Sequence, residues 1–197
     1  MFRSIAGMCV LAAAVSFGGC ATPVLNPIAT RESRVADPGM AGDWTTDEPN
    51  VIRVSVRERA DGTLESALTI HQDNELKSAL TLDVALTRIE GATFADLFLS
   101  KPDRERLSGT YGFLVLPVHQ VAKVQRDENT MWVWFLDGSW MDRVSQDSGL
   151  QTGKFKIAGA ETTVITGPTA SVRDFLREHG NNPEAYSSPV VFHRLRR

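Results

Sequence analysis

The chain predicts a mainly β domain: a small antiparallel barrel or curled sheet with one C-terminal helix and a closing strand. Three observations carry this. From Gly42 onward, apolar and polar residues alternate in run after run, the period of a half-buried strand. Turn dipeptides such as Asp61-Gly62 and Glu90-Gly91 separate the runs. A helical apolar stripe with its own start and stop signals comes late, after Pro168, and an apolar strand-like run follows it. A length of 197 residues suits one well-buried domain and is short for two.

Taken in order, residues 51–58 set Ile52, Val54 and Val56 on one face against Arg53, Ser55 and Arg57 on the other. Residues 63–70 repeat this with Leu64, Leu68 and Ile70, so the two runs should pair across Asp61-Gly62. Leu80, Leu82, Val84 and Leu86 mark the next strand, and Glu90-Gly91 leads into a short one at 94–99. Residues 100–111, polar and holding Pro102, read as an exposed loop. The run 112–125 is a strand expected to bend at Pro117, because proline donates no ladder hydrogen bond. At 130–137, Met131, Val133 and Phe135 alternate with Trp132, Trp134 and Leu136, so both faces need cover. A short helix at 139–146, with Trp140, Met141 and Val144 at helical spacing, is one candidate cover. Residues 154–157 and 162–166 read as a further hairpin. Ser171 and Asp174 form a capping box for the late helix, Val172, Phe175 and Leu176 its stripe, and His179-Gly180 then Pro183 its end. The last strand, 190–195, is expected beside the one opened by Gly42-Asp43-Trp44.

The first twenty residues differ from all this. Arg3 gives a short positive region, residues 5–15 an apolar one, and Ser16-Phe17-Gly18-Gly19 leads to Cys20. Eleven apolar residues span about half of a roughly 30 Å hydrocarbon core as a helix, which fits an export signal that is removed. The order resembles the bacterial lipoprotein signal, which implies that residues 1–19 are cut away and Cys20 is acylated as the new N-terminus. The cysteine count agrees: the only other one, Cys9, lies within the signal, so the mature chain has no partner for a disulfide. Ala21 stands where Asp is the family's signal for retention in the inner membrane. The resemblance therefore implies an outer-membrane lipid anchor facing the periplasm. Residues 20–40, with Pro23, Pro27 and Pro38 and no sustained period, read as a lipidated flexible tether reaching about 25 Å. Residues 41–197 are the globular domain.

The Gly42-Asp43-Trp44 entry to an antiparallel series, with a helix and then a strand after it, resembles the lipocalin family. That implies a basic residue from the far end of the chain stacked over Trp44, and Arg194 is the candidate. The segments Leu116-Pro117-Val118-His119 and 169–186 also resemble bacterial envelope proteins, a resemblance that implies no activity.

Composition narrows function further. The 21 Lys and Arg against 24 Asp and Glu give a net charge of −3 with no basic run, so nucleic acid is not an expected partner. His71, His119, His179 and His193 show no paired ligand spacing, and no metal or cofactor is expected. Of these, His119 stands out for its place after Pro117. No Gly-x-Ser-x-Gly elbow, phosphate loop or dinucleotide fingerprint is present, and carboxylate pairs such as Asp96 with Asp137 or Asp142 read as surface groups. The expectation is a protein that is not an enzyme. Trp132, Trp134, Phe135 and Trp140 gather much of the large apolar surface and are the candidate wall of a site for a small apolar ligand. The alternative is an envelope component acting through protein–protein contact, with the same aromatics as its docking patch.

Overall fold

The computed structural model describes residues 21–47, 50–72, 75–108, 117–145, 148–157 and 160–195. The signal, Cys20, residues 109–111 of the expected loop and residues 112–116 of the strand expected from Gly112 lie outside them.

Seven strands form a meander: β2 (Gly42–Thr45), β3 (Asn50–Glu58), β4 (Leu64–Gln72), β5 (Glu75–Ile89), β6 (Ala92–Leu99), β7 (His119–Arg126) and β8 (Thr130–Phe135). The last strand of the chain, β11 (Val190–Arg194), lies between β8 and β2 and is antiparallel to both, closing an eight-stranded barrel. Its register sets Val191 opposite Trp132 on one side and Arg194 opposite Trp44 on the other. Turn chemistry fixes the pairing of β5 with β6: Ile89 faces Ala92 across Glu90 and Gly91, both at positive φ, 47° and 80°. The β4–β5 hairpin runs further than the alternation of residues 80–87 indicated, passing through an irregularity between Ile70 and His71.

The barrel's own core holds Trp44, Ile52, Val54, Val56, Leu64, Val84, Leu86 and Phe192, the inward positions of the alternating runs. A second core lies outside the wall. There Phe94 and Val121, outward on β6 and β7, meet α2 (Gly138–Val144), α3 (Thr169–His179) and Ile165 of β10 (Ala160–Ile165), which pairs with β9 (Thr152–Ile157). This layer covers Leu136, the barrel core covers Met131 and Val133, and Trp132 and Trp134 stay half-buried on the outer face.

Among the described residues there are three α-helices: the expected C-terminal one, the short one offered at 139–146, and one that was not expected. The loop at 100–111 contains α1 (Lys101–Ser108), which covers the β5 edge beyond the end of β6. Its Asp103 Oδ2 accepts the Thr81 N–H at 2.6 Å, and the Ser100 N–H donates to the Thr81 carbonyl at 2.9 Å. The short α2 starts on Asp137, whose Oδ1 accepts the Trp140 N–H at 2.7 Å. The late helix begins at Thr169 rather than after Ser171, with Pro168 before it and no side-chain cap. Among the described residues no helix is long and apolar enough to cross a membrane.

Residues 21–40 are not a free tether. Thr22, Val24, Ile28 and Ala29 are buried, and β1 (Pro23–Val24) wedges between β7 and β10. A segment without period has little ladder to hold it beyond that two-residue strand, so side chains do the rest. Asp96 Oδ2 accepts the Ile28 and Ala29 N–H groups at 2.7 and 3.1 Å, the Thr169 hydroxyl donates to the Pro27 carbonyl at 2.7 Å, and Arg173 donates to the Ile28 carbonyl at 2.8 Å. The segment then crosses the wall, bonds Leu86 through Val35 at 2.9 Å, and turns at 38–40 over one end of the barrel.

Candidate functional site

Alternation along each strand sends every second side chain inward, and those side chains leave a cavity of about 110 Å³ along the barrel axis. Val54 and Val56 of β3, Leu64 and Leu68 of β4, Leu82 and Val84 of β5, Ala95 and Leu97 of β6 contribute to one wall. Val124, Met131, Val133, Phe135, Val190 and Phe192 contribute to the other. Ser66 is the one hydroxyl among the lining side chains. Such a lining recognises an apolar group by shape and dehydration and offers little to orient a polar one.

One end is sealed. Trp44 is fully buried and its Nε1–H donates to the Met40 carbonyl at 2.9 Å. The Arg194 guanidinium carbon sits 4.1 Å from the Trp44 ring centroid, so the two residues the lipocalin resemblance set together do meet. Arg194 also donates to the carbonyls of Glu128 and Ala41, both at 2.9 Å, and to that of Gly39. Gly42 needs its identity here: its φ is 137°, and a Cβ would lie 2.6 Å from Arg194 Nη1. Beside it Asp37 pairs with Arg126, whose hydrogen bonds hold the Asp37 carboxyl below the usual carboxylate range.

The opposite end carries half-buried aliphatics, Leu68, Leu82, Leu97, Val133 and Val190. Val190 begins β11 and Leu97 and Val133 lie toward the ends of β6 and β8, whereas Leu68 and Leu82 are mid-strand because the β4–β5 hairpin extends past them.

The four aromatic candidates are not one wall. Phe135 lines the cavity. Trp132 and Trp134 alternate with Met131, Val133 and Phe135 and so face outward. Trp134 lines an external groove with Tyr186, Pro183 and Pro189, where burial pushes the Tyr186 phenol up and its hydroxyl donates to the Gly180 carbonyl at 3.1 Å. Trp140 is in the second core, its ring 5.9 Å from Phe175 and 5.4 Å from His179. The residues missed are the aliphatics of β3 to β6. Their alternation was visible, and asking which single face of every strand turned inward would have found them.

The polar candidates all have partners within the fold, and Asp96 is buried and not the surface group the sequence suggested. Asp96, 3% exposed, meets neither Asp137 nor Asp142: its Oδ1 lies 2.5 Å from His119 Nδ1 while Oδ2 holds the 28–29 backbone. His119 stacks on Phe98 with centroids 4.3 Å apart. Asp142 pairs with Lys154 and Thr163, which keep its carboxyl below its usual range. His71 and His193 lie 3.3 Å from Thr69 Oγ1 and 3.4 Å from Asp47 Oδ2. Among the described residues no group of three or more His, Cys, Asp or Glu is placed to hold a metal ion.

Fold and site together define a closed antiparallel β-barrel with an apolar interior, an architecture compatible with a ligand-binding module. No family model matches the chain, and neither the curated proteins nor the solved structures contain a match.

Proposed function

We propose that the chain is a non-enzymatic lipoprotein, anchored by acylated Cys20 in the outer membrane and facing the periplasm, whose barrel binds a small apolar group. The observation that carries the binding reading is the cavity, walled by aliphatic side chains and sealed at one end. Its size sets the ligand. A whole drug-sized molecule needs roughly 300–1,000 Å³, whereas a dry cavity of about 150 Å³ takes benzene. A space of about 110 Å³ suits the end of an acyl chain, of about three or four methylenes, contributing roughly 3 kcal/mol. The order of the signal residues before Cys20 supports the anchor.

The test uses residues 20–197 with Cys20→Ser, titrated with short fatty acids against a fluorescent apolar probe. Ala95→Leu adds bulk to the wall and should abolish displacement while Trp134→Ala, on the outer face, should not. Equal binding by both variants would overturn the cavity as the site. The external groove at Trp134 and Tyr186, about 450 Å³, favours the second reading, docking of another envelope protein. Loss of partner capture in Trp134→Ala, without loss in Ala95→Leu, would select it.

A further inference from the structure

We infer that the end of the barrel opposite the Trp44–Arg194 seal rests on the bilayer that anchors Cys20, so that the cavity takes its acyl chain from the membrane and not from solution. This deepens the reading above and rests on acylation of Cys20. The observation is where the folded chain begins. Ala21 bridges Asp137, the Thr22 N–H donates to the Leu136 carbonyl at 3.2 Å, and Pro23 pairs with Gln120. Asp137 comes two residues after Phe135 of the cavity wall, just past the end of β8, and Gln120 is near the start of β7. Those are the ends of both strands away from the Trp44–Arg194 seal. The Trp44–Arg194 seal is made at the opposite ends, where the β7–β8 turn supplies the Glu128 carbonyl.

Distance then limits orientation. One peptide step from Cys20 to Ala21 is 3.8 Å, one inter-strand step to Asp137 about 5 Å, and two residues back to Phe135 about 7 Å, so the anchor lies within about 16 Å of the cavity wall. A twenty-residue coil would reach about 25 Å and let the barrel turn freely. Here there is no such slack, because Thr22, Val24 and Ile28 are buried and Asp96 clamps the backbone at 28–29. The end facing the anchor also carries apolar side chains. Leu97, Val133 and Val190 are half-buried toward it, beside the charged helix α1, and Leu76, near the tip of the β4–β5 hairpin at the same end, is 59% exposed. Such a rim gains by entering the boundary between headgroups and acyl chains, about 5–10 Å deep. The chain's net charge of −3 gives anionic lipid no attraction to add, so docking is apolar and insensitive to salt.

The experiment uses the full mature lipoprotein, with its acylation read by mass spectrometry, reconstituted in phosphatidylcholine vesicles. A nitroxide is placed at Leu76→Cys, and in a second sample at Glu128→Cys on the sealed end. Collisions with a water-soluble nickel chelate should fall roughly tenfold at position 76 and stay unchanged at 128, as a 5–10 Å insertion requires. A flexible Gly/Ser insert of twenty residues between Cys20 and Ala21 should return position 76 to the aqueous value. Acylated, vesicle-bound protein with both labels equally aqueous would overturn the docking, as would burial of the 128 label. An unacylated Cys20 would overturn the anchor and this inference with it. Failure of Ala95→Leu to affect ligand displacement, with the 76 label still buried, would sink the cavity reading alone.

Discussion

Arg194 offers the sharpest test of how the barrel is held shut. Arg194→Ala removes the cation from the Trp44 face, which contributes roughly 0.5–2 kcal/mol at the distance seen, and with it three hydrogen bonds to the carbonyls of Gly39, Ala41 and Glu128. A bond from a charged donor is worth about 1.5–3 kcal/mol when buried. This guanidinium is only partly covered, and the carbonyls it leaves regain water, so the three together come to about 2 kcal/mol. The expected loss is therefore about 3 kcal/mol. In a domain of this size that lowers Tm by roughly 6–12 °C. Urea unfolding of residues 20–197 with Cys20→Ser measures it, and a double-mutant cycle with Trp44→Leu isolates the stacking, expected near 1 kcal/mol. Arg194→Lys should recover less than half of the loss, since an ammonium cannot reach three carbonyls in one plane. A loss below about 1 kcal/mol, or full recovery by lysine, would refute the argument from geometry.

Trp44→Ala, which removes a fully buried ring, should cost about 3–5 kcal/mol by the same unfolding assay; a loss under 1 kcal/mol would show that the sealed end is not core. Deleting residues 189–197 removes β11 and exposes the edges of β2 and β8, so the truncated protein should aggregate on gel filtration. If it stays monomeric with an unchanged Tm, the barrel does not depend on that strand. The Asp37 carboxyl is held low in the folded state chiefly by its hydrogen bonds to Arg126, so its stabilisation is fully present above about pH 4 and is lost as pH falls through the folded value. Asp37→Asn should flatten the stability curve below about pH 4, and an unaltered slope would contradict the assignment.

Much of the barrel was legible because period-two alternation is itself a statement about which face is buried. The runs at Ile52-Val54-Val56 and Met131-Val133-Phe135 are inward in the fold, and Phe192 of the last strand completes the same core. The segment 21–40 was not legible. Its prolines and lack of period describe a chain that cannot join a long ladder, and say nothing of side chains far along the sequence that hold it, such as Asp96 and Arg173. The tryptophans misled for a related reason. Size makes them conspicuous, but position on an alternating strand decides the face, and Trp132 and Trp134 sit on the odd side out. Helix α1 was hidden because it buries little of itself: it is charged, and its place is set by the Thr81 edge it covers.

The position of β11 in the wall also dictates an order of assembly. The Arg194 bond to Ala41 spans 153 positions in sequence, so the first and last strands of the barrel pair only when residues 190–194 have been made. Until then β2 and β8 each present an unpaired edge, and the aliphatic faces of seven strands stand open to water. Contacts of such separation make folding slow, since the loop must close before the contact can stabilise it. The second core, built largely from residues 121–185, can gather around the outside while the barrel waits, and a nascent chain of this kind is exposed to misassembly in the interval before β11 emerges.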